Sequence, residues 1–156
     1  MGLSESQKGR SVELLIGAAL MLQSDGVLRV SVPLVDDEGV DLVIGNRFND
    51  KTILLQIKSR FTLTGRGQYR ADVRRATCDP DTNRFLLFVY YDKAAVALGE
   101  TCWFVPANEF CSLLGRQRQE RKVYVFASKF TAPNDMWKPF RISVKTLAFN
   151  ILKKVR

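Results

Sequence analysis

The chain is expected to fold as an α+β domain whose central mixed sheet begins with an antiparallel meander and is flanked by helices. Three observations carry that expectation. Val12, Leu15, Ile16, Ala19 and Leu20 recur at helical spacing near the start. Three short apolar runs then follow, separated by turns rich in Gly, Asn and Asp. Finally, Phe85 to Tyr91 is almost continuously apolar, the mark of a central strand buried on both faces.

Each element has its own local reason. Ser4-Glu5-Ser6-Gln7 has the pattern of a capping box at a helix start, and Asp25-Gly26 ends that helix. Val27 to Val35 reads as a strand, Asp36-Asp37-Glu38-Gly39 as a turn, and Val40 to Ile44 as a second strand. Gly45 to Lys51 is a second turn, and Thr52 to Arg60 a third strand. Strand parity puts Leu54, Gln56 and Lys58 on one face of that strand and Ile53, Leu55 and Ile57 on the other.

From Phe61 to Arg74 polar and apolar residues alternate as in an extended segment, with a bend expected at Gly65 and Gly67. Parity places Arg66, Arg70 and Arg74 on one face, with Arg60 and Arg75 at the ends. Cys78-Asp79-Pro80-Asp81 closes the segment. Thr101 to Val105 is a further strand, and Pro106 opens a short helix through Leu114 that Gly115 stops. Arg116 to Lys122 is a charged turn before a strand at Val123 to Phe126. A last helix starts at Ser143, with Val144, Leu147, Ala148, Ile151, Leu152 and Val155 as its apolar stripe. Residues 1–156 read as one domain with no repeat and no linker.

Composition narrows the chemistry. Of the 156 residues, 46% are hydrophobic and 26% charged, as in an ordinary globular protein. No apolar run approaches membrane-spanning length and no signal peptide is visible, so a cytoplasmic protein without membrane contact is expected. The three cysteines, Cys78, Cys102 and Cys111, have no metal-ribbon spacing and read as reduced thiols. The chain contains no histidine, which excludes Ser-His-Asp and Cys-His nucleophile chemistry and histidine-ligated zinc. A formal net charge of +8, from 24 Lys+Arg against 16 Asp+Glu, favours polyanion partners through counterion release. Trp103 and Trp137 read as packing aromatics.

A carboxylate, an amide and an amine interrupt the apolar strands at Asp41, Gln56 and Lys58, and Glu13 lies beside the stripe of the first helix. A helix acid, then Gly39-Val40-Asp41, then Gln56-Ile57-Lys58 resembles the motif order of the PD-(D/E)xK nuclease superfamily, over about residues 8 to 60. Val40 stands where that motif has proline, and Gln56 where Asp or Glu is usual; QxK variants resemble small homing endonucleases and other mobile-element nucleases.

The resemblance implies a restriction-endonuclease-like core and Mg²⁺-dependent, or Mn²⁺-dependent, hydrolysis of DNA phosphodiester bonds. It implies Glu13, Asp41, Gln56 and Lys58 as catalytic residues, with metal oxygens from Glu13, Asp41, Gln56 and the Ile57 carbonyl. Hard cations such as Mg²⁺ take oxygen ligands, and a lysine on the same face can orient water or stabilise the anionic phosphorane. Arg60, Arg66, Arg70, Arg74 and Arg75 would track the phosphate backbone. Cutting both strands from one site per chain would be simplest in a homo-oligomer, as a homing, restriction or junction-resolving enzyme. Two other readings stand beside it: a nuclease-like fold that binds nucleic acid without cutting, and a protein-interaction subunit whose polar strand residues pair internally.

Overall fold

The computed structural model describes residues 2–35, 38–115 and 122–156. Its centre is a six-stranded sheet in the order β1-β2-β3-β5-β6-β8, with a separate two-stranded ribbon of β4 and β7. The strands are β1 (Leu28–Ser31), β2 (Leu42–Asn46), β3 (Thr52–Arg60), β4 (Tyr69–Arg74), β5 (Arg84–Asp92), β6 (Ala97–Pro106), β7 (Val123–Ser128) and β8 (Arg141–Ser143). The helices are α1 (Glu5–Gln23), α2 (Ala107–Leu114) and α3 (Leu147–Leu152). Within the large sheet only β3 and β5 run parallel; every other pairing is antiparallel.

α1 starts on the capping box read from the sequence. Ser4 Oγ accepts from the Gln7 N–H at 3.2 Å, and Gln7 Oε1 accepts from the Ser4 N–H at 2.9 Å. Its buried side carries Val12, Ile16, Gly17 and Leu20. Gly17 lets the helix approach the sheet closely: a Cβ there would lie 3.2 Å from Val30 Cγ1 and 3.8 Å from Leu42 Cδ1.

Two cores sit on the two faces of the sheet. On one, α1 and α3 pack over Ile53, Leu55 and Ile57 of β3 and Phe85, Leu87 and Val89 of β5. On the other, Leu86 and Phe88 of β5 meet Trp103, the ribbon residues Tyr69, Ala71, Val73 and Phe126, α2 and Trp137. Strand β5 is therefore buried on both faces, as its unbroken apolar run required. Trp103 and Trp137 are both core residues.

Several elements depart from the sequence reading. β1 stops at Ser31 and β2 begins at Leu42, so the first two strands pair only over Leu28–Ser31 and Val43–Asn46. The alternating segment 61–74 becomes a strand only from Tyr69; before it, Thr64 and Gly67 close a turn through the Gly67 N–H to Thr64 C=O bond of 2.8 Å. Gly67, at φ +66, takes the left-handed turn that breaks the alternation. The last helix is shorter than expected because Arg141–Ser143 pairs with β6 and Val144–Thr146 forms a 3₁₀ turn. Asp36 and Asp37 of the expected first turn, and residues 116–121 of the charged turn, lie outside the described residues. Among the described residues no helix is long and apolar enough to cross a membrane.

Candidate active site

The site is built where the β2–β3 ladder ends. Leu42 pairs with Leu55, and one residue earlier the Asp41 N–H still reaches the Leu55 C=O at 2.9 Å. The next N–H of β3 is bonded by a side chain where a ladder carbonyl would stand. The Asp41 carboxylate takes its place, and Oδ2 accepts from the Ile57 N–H at 2.5 Å. A carboxylate offers about four acceptor sites, and this bond occupies one of them. In a strand the N–H and C=O of one residue point the same way, so the Ile57 carbonyl shares this edge with Asp41.

Gln56 and Lys58 lie on the β3 face opposite α1, as parity requires, and both are half-buried. The paired register of β2 and β3 ends at Leu42 and Leu55, one residue before Gln56 on β3. The Gln56 amide Nε2 donates to Thr77 Oγ1 at 3.3 Å, and Thr77 Oγ1 donates to the Arg74 C=O at 3.1 Å. Gly39, at φ +70, makes room for this pair: a Cβ there would fall 2.7 Å from Gln56 Nε2 and 2.7 Å from Thr77 Cβ. Next to Gln56 a cavity of about 10 Å³ opens between Gly39, Thr77, Asp79 and Arg84, room for roughly one water molecule.

Lys58 is held by its backbone. Its carbonyl accepts from the Tyr69 hydroxyl at 2.5 Å, a bond that ties the ribbon to the end of β3. Burial raises the Tyr69 phenol well above its ordinary range, so it keeps its proton and stays a donor. Among the described residues no acid forms an ion pair with the Lys58 ammonium.

Glu13 comes from α1, on the opposite side of the sheet. Its side chain is 16% exposed and accepts from Arg10 Nη1 at 2.9 Å. It sits one helical turn before Gly17, which rests over Leu42. The helix thus aims it along the sheet-facing side, toward the start of β2.

The arginines separate into kinds. Arg70 and Arg74 are exposed on the outer face of β4 with Asp72 between them, and Arg66 is exposed in the turn before it. Arg60 is a staple: Nε donates to the Arg70 C=O at 2.8 Å and Nη1 to the Ser59 C=O at 3.1 Å. A groove of about 340 Å³ runs beside it, lined by Arg60, Thr62, Leu63, Thr64, Arg70 and Asp72. Arg75 packs inward, its guanidinium 4.2 Å from the centre of the Tyr124 ring.

Thr77, Gly39 and Tyr69 carry the site's support, and sequence reasoning assigned Thr77 and Tyr69 no part in it. Gly39 had a signal, a glycine just before an acid that opens a strand. Thr77 had none, because it meets Gln56 across 21 residues of chain.

The donor set suits a hard cation: a carboxylate, an amide oxygen and a backbone carbonyl, with a second carboxylate on α1. It is lean in charge. Among the described residues no group of three or more His, Cys, Asp or Glu side chains could hold a metal ion.

A six-stranded mixed sheet flanked by helices is an α+β architecture consistent with a nuclease-like fold. The chain is similar in structure to the bacterial homing endonuclease I-Ssp6803I, with a TM-score of 0.59 over 99% of this chain and 95% of that one. At 20% sequence identity the likeness establishes the shared fold. No protein-family model matches the chain, and no curated protein is similar to it in sequence.

Proposed function

We propose that this protein is a Mg²⁺-dependent endonuclease that hydrolyses DNA phosphodiester bonds, a QxK member of the PD-(D/E)xK superfamily of the homing type. The observation that carries the proposal is the Asp41 carboxylate bound to the Ile57 N–H, with Gln56 and Lys58 side by side on the same strand. The likeness of fold to a homing endonuclease supports it.

In this reading Asp41, the Gln56 oxygen and the Ile57 carbonyl hold the cation, and Glu13 completes the set from α1. Mg²⁺ bound there would lower the pKa of a coordinated water and offset charge on the phosphate; Mn²⁺ would serve as well. Lys58 brings a cation to the face where negative charge grows on the phosphorane, and it orients the attacking water by donating to it. Gln56 replaces a carboxylate, so the site carries one negative charge fewer and holds metal more weakly than an acidic one.

Arg60 at the end of β3, Arg66 in the turn that follows, and Arg70 and Arg74 on β4 serve as phosphate contacts. Arg75 acts with them by bracing the ribbon against Tyr124. The protein works in the cytoplasm as a homo-oligomer, which brings two sites to one duplex. The exposed side of α1 supports that assembly. Leu14, Leu15, Ala18, Met21 and Leu22 share one side of the helix and are exposed, with Leu22 at 82%. They form a contiguous apolar side of the kind that the core of an interface buries. No charged residue lies between Glu13 and Asp25, so this is a place where two chains of charge +8 can meet without repulsion.

Incubating supercoiled plasmid with the protein and Mg²⁺, Mn²⁺ or EDTA tests the proposal. Nicked and linear products are expected with either metal and none with EDTA. DNA binding without cleavage of any DNA form would favour the non-catalytic binding module instead.

A further inference from the structure

The Gln56 side chain can present either its oxygen or its nitrogen to the site, and only the oxygen can bind a cation. Thr77 decides which. A hydroxyl has one proton, and the Thr77 proton goes to the Arg74 carbonyl at 3.1 Å. Toward Gln56, therefore, Thr77 Oγ1 can only accept. The amide nitrogen meets it at 3.3 Å, and the amide oxygen must face the other way. A flipped amide would set two acceptors against each other or strip the Arg74 carbonyl of its donor. Gly39 leaves the space in which this arrangement fits, with no Cβ to push the amide away from Thr77.

We infer that Thr77 is a positioning residue that turns the Gln56 carbonyl oxygen toward the Asp41 cation site. The inference rests on the proposed role of Gln56 as a metal ligand. It also explains how an amide serves where a carboxylate is usual: the Thr77 acceptor requires a donor beside it, and the amide supplies that donor while keeping an oxygen for the metal. A glutamate has two equivalent oxygens and needs no such orientation.

Mn²⁺ alone, titrated calorimetrically into the full-length protein without DNA, tests this. Thr77→Val is expected to weaken Mn²⁺ affinity about 10-fold, while Thr77→Ser stays within about twofold of the parent. In a Gln56→Glu background, Thr77→Val should change affinity by no more than about twofold, because either carboxylate oxygen will serve. Thr77→Ala replaces Thr77→Val in both backgrounds should valine unfold the 3₁₀ turn. Parent-like affinity in Thr77→Val, with Gln56→Ala weakened, overturns the role of Thr77 and leaves the metal site standing. Equal loss in the Gln and Glu backgrounds overturns it too, since Thr77 would then act only through the fold. Parent-like affinity in Gln56→Ala, or no Mn²⁺ binding by the parent, overturns the metal site itself and this inference with it.

Discussion

In the proposed mechanism Lys58 separates chemistry from folding at the scale of one residue. Its strand is held through its backbone by Tyr69, and its ammonium has no ion-pair partner among the described residues. Lys58→Ala is expected to lower the DNA cleavage rate by about 10²-fold or more while leaving the urea midpoint within error. Gly39 behaves in the opposite way. At φ +70, with Gln56 and Thr77 atoms 2.7 Å from its missing Cβ, it tolerates no side chain. Gly39→Ala should destabilise the fold by about 1–3 kcal/mol in urea titration. Both residues show how far single positions could be read from the sequence. Parity alone placed Gln56 and Lys58 together. The Asp41 to Ile57 bond was not legible, because it depends on the register set by the Gly45 to Lys51 turn. The Thr77 contact follows no period and joins two elements that the chain itself keeps apart.

Among elements, those with long, clean patterns were legible and those made by pairing were not. β3 runs from Thr52 to Arg60 as read, and β5 fills the centre of the sheet. The β4–β7 ribbon was invisible as a pair, since its strands are joined by tertiary packing around Phe126 and Tyr69 rather than by a turn. β8 is too short to leave a pattern. The ribbon also sorts the arginines. Arg70→Ala and Arg74→Ala should each weaken DNA binding for all sequences and reduce the slope of log K against log salt by about 1. Arg75→Ala should instead lower thermal stability, because its guanidinium stacks on Tyr124. On α1, Leu22→Lys places a charge in the exposed apolar side without touching the core. Sedimentation should show an oligomeric parent and a monomeric, folded variant; a monomeric parent would remove α1 as an interface.

The whole molecule divides its work between the faces of one sheet. Helices α1 and α3 cover one face, and the ribbon, α2 and the aromatic cluster cover the other, where Gln56 and Lys58 emerge. Glu13 belongs to the far layer, on α1. Burial also sets how the fold responds to base. It pushes the Cys102 thiol up to about 12 and raises the Tyr69 phenol well above its usual range. In the unfolded chain these groups ionise near their ordinary values of about 8.5 and 10. Stability from keeping them neutral is thus fully present below about pH 8.5 and is lost as pH rises toward 12. Unfolding followed against pH should show that alkaline decline, and Cys102→Ala should flatten it. The excess of positive charge, from 24 Lys+Arg against 16 Asp+Glu, favours polyanion partners for the same molecule.

The meeting of Asp41 with β3 is a cation site in this account, and a crystal grown with Mn²⁺ examines that claim without any assay. An anomalous peak is expected between the Asp41 carboxylate, the Gln56 oxygen and the Ile57 carbonyl, at about 2.1 Å from each. A peak elsewhere, or well-ordered side chains with no peak at millimolar Mn²⁺, would mean that Asp41 serves only to finish the β2–β3 ladder.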